Sequence, residues 1–254
     1  MTPISVVIIT LNEEKNIERC IRSVLDIADE IIVLDSLSTD RTKEICLSYR
    51  VKFIEQPFLG YVEQVSKALE YATYPHILSM DADEALSDEL KTSIKKVKEY
   101  WKSDGYYYNR LTNYCGKWIR HTDWYPDRKL RLFDKTKGKW SGLNPHYTFT
   151  LQPNCSKSFL KGDLLHYSFP SINHHLDVVK NFTTILAQEK FNNGAKSNWM
   201  SITFNPTFKF FKSYFLKLGF LDGYYGFVTC AMSAFATFMK YVKLHELNRS
   251  NLSK

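Results

Sequence analysis

Short apolar runs alternate with helix-period segments through the first hundred residues, and this alternation limits the fold more than any other feature. Ile4–Thr10 is a continuous Val/Ile run, too short for a helix and too apolar for an edge strand. We therefore place it as a central strand buried on both faces. Repetition at this spacing predicts an α/β fold of right-handed βαβ units on a mostly parallel sheet flanked by helices. The predicted elements are strands 4–10, 30–35, 51–54 and 75–80, and helices 14–25, 38–49, 60–73 and 88–101, the last capped by Ser87.

Polar residues follow three of the predicted strands, at the point where each strand ends. In sheets of this class, ligands bind at the carboxyl ends of the strands. The sequence therefore predicts one acidic pocket at this edge of the sheet. Its lining comprises Thr10, Asn12 and Glu13 after the first strand, Asp35 after the second, and Asp81, Asp83 and Glu84 after the fourth.

The Asp81-x-Asp83 pair predicts a site for a divalent cation. Two carboxylates at positions i and i+2 can point into one crevice once the strand turns, and Mg²⁺ or Mn²⁺ prefers oxygen ligands. A pair of solvated turn acids is the alternative for an isolated motif of this kind. Its alignment with the polar ends of two earlier strands favours the cation site.

The acids and amides of the first two strand ends are candidates for nucleotide binding. Asp35 is placed to accept hydrogen bonds from a nucleobase or ribose, as an acid after the second strand does in other nucleotide-binding α/β folds. A turn-forming Asp is the equal alternative. Thr10, Asn12 and Glu13 lie where a loop would pass over the base, and helix N-capping by Asn12 is the alternative there.

The two parts of the chain carry opposite net charge, although the total is only +7. Residues 1–103 have 13 basic and 18 acidic side chains, whereas residues 104–254 have 21 basic and 9 acidic ones. The acidic part suits a cation-dependent site. The basic, aromatic part suits a polyanionic partner such as phosphate-rich lipid, nucleic acid or a membrane surface. The 5 cysteines are scattered without a CxxC pair, which argues against a disulfide framework and a zinc module.

The chain changes character after residue 103, where short strands and loops rich in Tyr, Trp and Arg replace the regular alternation. We expect the sheet to finish there with mixed or antiparallel strands and loops that build an acceptor site. A C-terminal helical extension then follows. The predicted helices are 172–193 and 206–247, the latter in two pieces broken near Gly219–Gly223.

Three N-terminal segments, in their order and spacing, resemble the inverting glycosyltransferases of family 2, which have the GT-A fold. They are VVIITLNEEKNIERCIRSV, EIIVLDSLSTDRT and LSMDADE. Later segments are similar to the bacterial lipopolysaccharide core glycosyltransferases, a group that includes β-1,4-glucosyltransferases acting on inner-core heptose. Those segments are HTDWYPDRKLRLF, LKGDLLHYSF, GFLDGYYGF and KYVKL. The resemblance covers nearly the whole chain, with one departure at Asn144-Pro145-His146-Tyr147, where many members have Val-His-Glu.

The resemblance implies a role for each matching residue. Residues 1–170 would form the catalytic domain, with a nucleotide-sugar and metal half over 1–103 and an acceptor half over 104–170; residues 171–254 would form the extension. A core histidine is the alternative for His166. The implied roles are nucleotide binding by Thr10, Asn12, Glu13 and Asp35, ribose and metal-shell contact by Asp81, direct ligation of Mg²⁺ or Mn²⁺ by Asp83, and a place beside the metal or diphosphate for His166.

An inverting transfer also needs a carboxylate that takes the proton from the acceptor hydroxyl. Asp127 is our candidate, because aromatic residues flank it and Pro126 stiffens its loop; Glu84 and Asp123 are the rivals. An ion pair with Arg128 or Arg131 is the alternative for Asp127. We expect these two arginines to share a strand face and to bind the diphosphate or an anionic acceptor. Candidates for stacking on sugar rings are Trp118, Trp124, Tyr125 and Trp140, with Trp124 first.

The C-terminal part predicts a membrane contact. Residues 204–243 are rich in Phe and Tyr and contain five lysines against the single acid Asp222. The uncharged stretch 223–239 is at the lower limit for a spanning helix, so a helix lying in the interface of an anionic membrane fits better. Packing against the catalytic domain, or against the partner in a homodimer, is the alternative.

The N-terminal run MTPISVVIITLNEE lacks the basic region and the length of a signal peptide. We therefore expect a cytoplasmic protein, peripheral on the inner face of the bacterial cytoplasmic membrane. The expected partners are a nucleotide-sugar donor and, as acceptor, a lipid-linked core oligosaccharide. A UDP-sugar is the leading candidate for the donor.

Two other function classes were weighed against this one. A sugar nucleotidyltransferase on a related fold would carry a Gly-rich phosphate loop near its start, whereas the first glycine here is Gly60. A basic nucleic-acid-binding protein would explain the C-terminal charge but not the acidic strand ends, and no RNP, KH or helix-turn-helix signature occurs. We therefore expect no nucleic-acid partner.

Overall fold

The structure, a computed structural model, describes residues 1–143 and 146–252. Asn144 and Pro145, part of the segment that departs from the family pattern, lie outside the described residues. The chain divides into two compact units. The first comprises Met1–Leu111 and Asp127–Tyr167, and the second comprises Thr112–Pro126 and Ser168–Lys254. The second unit thus includes residues 112–126, a segment that the sequence analysis assigned to the acceptor half.

The N-terminal half of the first unit is a parallel sheet with crossover helices. Its strands are β1 (Ile4–Thr10), β2 (Glu30–Asp35), β3 (Lys52–Glu55) and β4 (His76–Asp81), in the spatial order β3-β2-β1-β4 with parallel pairing. The helices are α1 (Ile17–Val24), α2 (Thr42–Leu47), α3 (Tyr61–Glu70) and α4 (Asp88–Glu99). These elements confirm the predicted βαβ alternation.

Strand β1 is buried on both faces because helices cover the sheet on each side. Ile4, Val6 and Ile8 belong to a core cluster shared with α1 and α4. Val7 points the other way, into a second cluster with α3. A continuous apolar run is therefore required, and β1 occupies the predicted residues.

The predicted helix 14–25 is shorter in the structure, where α1 begins at Ile17. The residues before it form a turn, in which the Glu13 carbonyl accepts hydrogen bonds from the Asn16 and Ile17 amides. The Glu13 amide also donates to the Thr42 hydroxyl at 2.8 Å. The segment before α1 is therefore a turn, and its Glu13 amide is bound to the first residue of α2.

The sheet continues with antiparallel strands, as predicted, so that the whole sheet is mixed. Beyond β4 the spatial order is β8-β6-β11-β5, with β7 paired to β6. The short strand β5 was not predicted. The strands are β5 (Glu84–Leu86), β6 (Gly105–Tyr114), β7 (Lys117–Ile119), β8 (Asp127–Asp134) and β11 (Lys157–Phe169), while β9 (Gly138–Leu143) and β10 (His146–Leu151) form a separate hairpin.

Helices dominate the second unit. They are α5 (Ile172–Asn192), α6 (Trp199–Phe211) and α7 (Gly223–Leu252). A π-helical turn over Lys212–Leu216 and a 3₁₀ turn over Gly219–Asp222 separate α6 from α7, which confirms the predicted break. Helix α6 starts before the predicted residue 206, because Asn198 caps it and exchanges hydrogen bonds with Ser201.

Asp222 stabilises the second unit from inside. Its Oδ2 accepts hydrogen bonds from the Arg120 amide at 3.0 Å and the His121 amide at 2.8 Å, and its Oδ1 lies 3.1 Å from His121 Nδ1. The single acid of the predicted membrane segment is therefore buried. In the part of the chain that the structure describes, no helix has the length and apolarity needed to cross a membrane.

Candidate active site

The turn from β4 to β5 presents the two carboxylates of the Asp81-x-Asp83 motif. Glu84, the next acid, is buried, and its Oε2 accepts a hydrogen bond from the Asp81 amide at 2.9 Å. Burial and the neighbouring Asp81 charge raise the pKa of Glu84. Glu84 therefore stabilises the turn through this hydrogen bond, whereas the side chains of Asp81 and Asp83 stay partly accessible. This position argues against Glu84 as the acceptor base.

Asp83 pairs with His166, which β11 delivers to the site. His166 lies opposite Glu84 in the β11–β5 ladder, and its Nε2 is 3.0 Å from Asp83 Oδ2. Burial lowers the pKa of His166, but the Asp83 carboxylate outweighs burial and the pKa is raised. The buried Nδ1 of His166 has no hydrogen-bond partner among the described residues. The structure thus brings together the two residues that the family resemblance placed at the metal.

Glu13 adds a third carboxylate on the side of β1. Burial raises its pKa to about 7, the charges of Asp83 and Asp40 add to that effect, and a hydrogen bond from Asn16 opposes it. A cation bound near Glu13 and Asp83 would reduce the repulsion between these carboxylates.

The donor set fits a divalent cation in its chemistry. Asp83 offers carboxylate oxygens and His166 a ring nitrogen, with Asp81 and Glu13 near them; Mg²⁺ favours the oxygens, and Mn²⁺, a transition-metal ion, also accepts the nitrogen. Within the described ranges, no group of three or more His, Cys, Asp or Glu side chains already has ligand spacing. Asp83 and His166 contact each other directly instead. Cation binding would therefore displace the proton that this pair shares.

Both oxygens of Asp81 have partners from the first unit. Oδ2 is 3.0 Å from Arg131 Nη2, and Oδ1 accepts a hydrogen bond from the Tyr147 hydroxyl at 3.0 Å. The Arg131 guanidinium also lies 5.5 Å from the Trp140 ring centroid and 5.4 Å from that of Tyr147. Burial and the Asp81 charge raise the pKa of Tyr147 well above its ordinary value. Asp81 is therefore held in one orientation by Arg131 and Tyr147.

Removal of Arg131 should cost much more stability than removal of the Tyr147 hydroxyl. Arg131→Met leaves the Asp81 carboxylate without its cation, and we expect the free energy of unfolding to fall by about 3 kcal/mol. Tyr147→Phe removes one hydrogen bond and should cost about 1 kcal/mol. Urea unfolding monitored by circular dichroism measures both changes.

The double variant Asp81→Asn/Arg131→Met is the control, because it removes the carboxylate together with the cation. We expect it to regain most of the stability that Arg131→Met loses. Equal stability of Arg131→Met and the wild type would show that the pair does not hold the turn.

The loops that follow β1 and β2 are joined through Asn12. Its Oδ1 accepts a hydrogen bond from the Thr39 amide at 2.8 Å, and its amide donates to the Ser38 hydroxyl at 2.8 Å. Asn12 has a left-handed backbone (φ 54°), which Asn adopts more readily than most residues. It therefore connects two loops and does not cap α1.

Asp35 is buried at the end of β2 and forms a turn. Its carboxylate accepts hydrogen bonds from the amide and the hydroxyl of Ser38. Thr10 is its neighbour in the β1–β2 ladder, and the buried Thr10 hydroxyl has no partner among the described residues. The structure thus gives Asp35 the turn-forming role, and contact with the base or ribose remains a prediction.

Asp127 lies at the start of β8 and contacts two cations. Its Oδ2 is 3.0 Å from Arg110 Nε and 2.9 Å from Arg110 Nη2, and its Oδ1 is 3.0 Å from Lys129 Nζ. Arg110 Nη1 is also 3.7 Å from Glu84 Oε1, so one guanidinium links Asp127 to the turn that carries Asp83. The alternative for Asp127, an ion pair with Arg128 or Arg131, is therefore met in part: the carboxylate is ion-paired, but with Arg110 and Lys129.

Arg128 and Arg131 do not share a face, contrary to our expectation. Side chains alternate along a strand, so residues three positions apart point to opposite sides. Arg128 is exposed, with its guanidinium 5.7 Å from the Phe159 ring centroid, whereas Arg131 is buried beside Asp81. One Nη of Arg131 is buried without a hydrogen-bond partner among the described residues, which leaves a donor for a ligand.

Three of the candidates for acceptor contact or for the base have partners within the fold. Trp140 is buried in a cluster with Phe133 and Phe149. Trp124 donates a hydrogen bond to Ser233 at 3.2 Å and packs with other aromatic rings of the second unit. The third, the rival base Asp123, is 2.7 Å from Lys209 Nζ.

Arg110, Lys129 and Tyr147 belong to the site although the sequence analysis did not select them. Arg110 and Asp127 are directly opposed in the β6–β8 ladder, so correct strand pairing would have found the ion pair. Tyr147 stands at the end of the segment that departs from the family pattern. Single-sequence reasoning has no access to either pairing.

Comparison with known proteins decides the family. The sequence model of Glycosyl transferase family 2 matches residues 5–159, more than half of the chain. The chain belongs to glycosyl transferase family 2. The matched range ends within β11 and includes the Asp81-x-Asp83 turn and Asp127. This family member is therefore a glycosyltransferase.

Several relatives of this family member extend over nearly its whole length. An uncharacterized glycosyltransferase of Rickettsia bellii is 34% identical over 255 residues, covering 96% of this chain and 87% of its own. The lipopolysaccharide core biosynthesis glycosyltransferase LpsC of Rhizobium meliloti is 28% identical over 257 residues, covering 96% of this chain and 94% of its own. The resemblance to lipopolysaccharide core enzymes thus extends through the helical region.

Solved structures match a shorter region of this family 2 enzyme. Glucosyl-3-phosphoglycerate synthase of Mycobacterium tuberculosis, in complex with Mn²⁺ and UDP-glucose, is 24% identical with a TM-score of 0.36, over 44% of each chain. TarS of S. aureus is 26% identical with a TM-score of 0.38, over 44% of this chain and 22% of its own.

Proposed function

We propose that this family 2 glycosyltransferase moves a hexose from a nucleotide sugar to a lipopolysaccharide or lipooligosaccharide core or a similar lipid-linked glycan. A UDP-sugar is the leading candidate for the donor. The transfer is metal-dependent and inverts the anomeric centre. The observation that carries the proposal is the meeting of Asp83, His166 and the Arg110–Asp127 pair at the end of β4. The relative named as a lipopolysaccharide core enzyme supports the acceptor class.

Asp83 and His166 would hold Mg²⁺ or Mn²⁺, with Asp81 in its outer shell. When bound, the cation stabilises the negative charge that grows on the leaving diphosphate. Arg131 and Tyr147 fix the orientation of Asp81 before any ligand arrives. Such preorganisation lowers the reorganisation needed during the reaction.

Asp127 would take the proton from the acceptor hydroxyl as that oxygen attacks the anomeric carbon, opposite the departing nucleoside diphosphate. Single displacement needs no covalent intermediate, so one carboxylate suffices. Arg110 contacts Oδ2 through two nitrogen atoms and Lys129 contacts Oδ1, so the two cations fix the orientation of the carboxylate. About three-tenths of the Asp127 side chain remains exposed, which leaves room for an acceptor hydroxyl to approach.

The nucleotide would lie across the ends of β1 and β2, where Thr10, Asn12, Glu13 and Asp35 converge. The joined loops around Asn12 form its floor. Arg131 reaches the donor from the β8 side through its unpaired nitrogen, whereas exposed Arg128 suits an anionic acceptor. The enzyme would work at the inner face of the cytoplasmic membrane, where lipid-linked acceptors are available.

A panel of UDP- and ADP-sugars tests the proposal. We expect one UDP-hexose to be hydrolysed slowly in the presence of Mg²⁺ or Mn²⁺, and to raise the melting temperature of the protein. The anomeric configuration of the transferred sugar, determined by NMR, should be opposite to that of the donor. Release of nucleoside triphosphate on addition of pyrophosphate would instead indicate a nucleotidyltransferase. If no nucleotide sugar binds or reacts, the proposal fails.

A further inference from the structure

The outward face of α6 is apolar, which is the reverse of an ordinary surface helix. Trp199, Phe204 and Phe208 have exposed fractions of 77%, 71% and 56%. The exposed positions recur with the period of a helix, so they form one stripe that continues through the π-helical turn. Its exposed members are Trp199, Met200, Thr203, Phe204, Thr207, Phe208, Phe211, Lys212, Phe215 and Leu216.

The segment that connects α6 to α7, together with the first residues of α7, enlarges this stripe. Leu218, Phe220, Leu221, Tyr224 and Phe227 are all exposed there. We call the exposed residues of 199–227 the aromatic face. A contiguous exposed apolar patch of this kind on a protein marks an interaction site.

The charges around the aromatic face favour an anionic lipid surface. No Asp or Glu occurs between Glu189 and Asp222, and Asp222 is buried against the Arg120 and His121 amides. Lys212 and Lys217 are exposed within the face. Aromatic side chains flanked by lysines, with acids excluded, are the composition of interfacial membrane-binding segments.

The part of α7 beyond Phe227 does not share this role, although the predicted membrane segment extended to residue 243. Lys243 donates hydrogen bonds to the Lys180 carbonyl and to the Thr183 and Thr184 hydroxyls of α5. Most side chains of the uncharged stretch of α7 are partly or fully buried. Lys209 likewise pairs with Asp123. The lysines available to lipid are thus fewer than the five expected.

We infer that the aromatic face of residues 199–227, and not the rest of α7, docks the enzyme on an anionic membrane by inserting its Phe and Trp side chains while Lys212 and Lys217 contact lipid phosphates. The inference rests on the proposed function only in that a lipid-linked acceptor brings the enzyme to a membrane. Docking itself requires no sugar transfer.

Cosedimentation of the full chain with vesicles tests the aromatic contribution. Vesicles that contain phosphatidylglycerol should bind the wild type. Phe204→Asp/Phe208→Asp should weaken partitioning into the vesicles about 100-fold, because two aromatic side chains that would insert into the lipid are lost. The matched control Leu47→Asp/Tyr100→Asp changes two equally exposed apolar residues of the first unit and should bind as the wild type does.

The charge contribution is tested separately with Lys212→Glu/Lys217→Glu. We expect binding to phosphatidylglycerol vesicles to fall by about 30-fold or more, because each lysine contributes about 1 kcal/mol near an anionic surface. The exposed pair Lys96→Glu/Lys161→Glu is the control for net charge and should have little effect.

Three results would overturn the inference. They are a wild type that stays in the supernatant, Phe variants that sediment as the wild type does, and vesicle-free dimers that Phe204→Asp/Phe208→Asp converts to monomers. The last would show that a second copy covers the face. Donor hydrolysis by the same variants should be unchanged. Vesicle binding without turnover of any nucleotide sugar would sink the proposed function and leave the docking inference standing.

Discussion

Asp83→Ala should lower glycosyl transfer by roughly 100-fold or more at saturating Mg²⁺ or Mn²⁺, because the variant loses a proposed ligand and leaves His166 without its partner. Titration calorimetry with Mn²⁺ should show weaker binding in the variant. In the wild type, EDTA should stop turnover and added Mn²⁺ should restore it. The exposed acid Asp88, in the first turn of α4, supplies the control variant Asp88→Ala, for which we expect normal turnover.

Full activity of the wild type in EDTA would eliminate the metal from the proposal. Normal activity of Asp83→Ala with intact EDTA sensitivity would place the cation on other residues. A loss of activity caused by misfolding would appear as a lowered melting temperature in the absence of metal and donor. The isosteric variant Asp83→Asn separates these cases, because it preserves the shape of the turn while removing the charge.

Asp127→Asn should retain donor binding and lose transfer by about 100- to 10,000-fold, which is the usual contribution of a general base. The amide keeps the size of the side chain and one oxygen for Arg110. Donor affinity measured by calorimetry and transfer measured with the acceptor give the two readouts. The variant Lys129→Met removes a neighbouring cation from the other carboxylate oxygen and should have a smaller effect.

Transfer at the normal rate by Asp127→Asn would show that another carboxylate is the base. A variant that loses donor binding and stability together would indicate that the Arg110–Asp127 pair only holds β6 to β8. Asp127→Glu offers a further distinction: a base displaced by one methylene should transfer sugar more slowly than the wild type, whereas an ion pair that is only structural should leave the transfer rate unchanged.

The parallel half of the fold was predictable because its signals are local. Each buried strand is an unbroken apolar run, and Ser87 caps α4 by accepting a hydrogen bond from the Leu90 amide, as the sequence indicates. The antiparallel half was predicted only as a class. Its strand order depends on long-range pairing, such as β8 beside β4 and β11 beside β5, which hydrophobic period does not encode.

The site was predictable to the same extent. Residues at strand ends, such as Asp83, follow from the rule that ligands bind at the carboxyl edge. Once a carboxylate is placed at a strand end, its role depends on the side chains that contact it. Asp81 is held by Arg131 and Tyr147, residues 50 and 66 positions away along the chain. The prediction that Arg128 and Arg131 share a face was wrong, because residues three positions apart on a strand point to opposite sides.

The buried Asp222 has a consequence for how such enzymes are inherited. Its carboxylate accepts hydrogen bonds from the amides of residues 120 and 121, and Trp124 donates to Ser233 of α7, so residues 120–124 have partners in the C-terminal helical region. An early stop codon that deletes these helices would also remove the hydrogen-bond partners of an internal segment of the chain. The two stretches should be gained and lost together, and a relative with a short C-terminus should also have a short connection between β6 and β8.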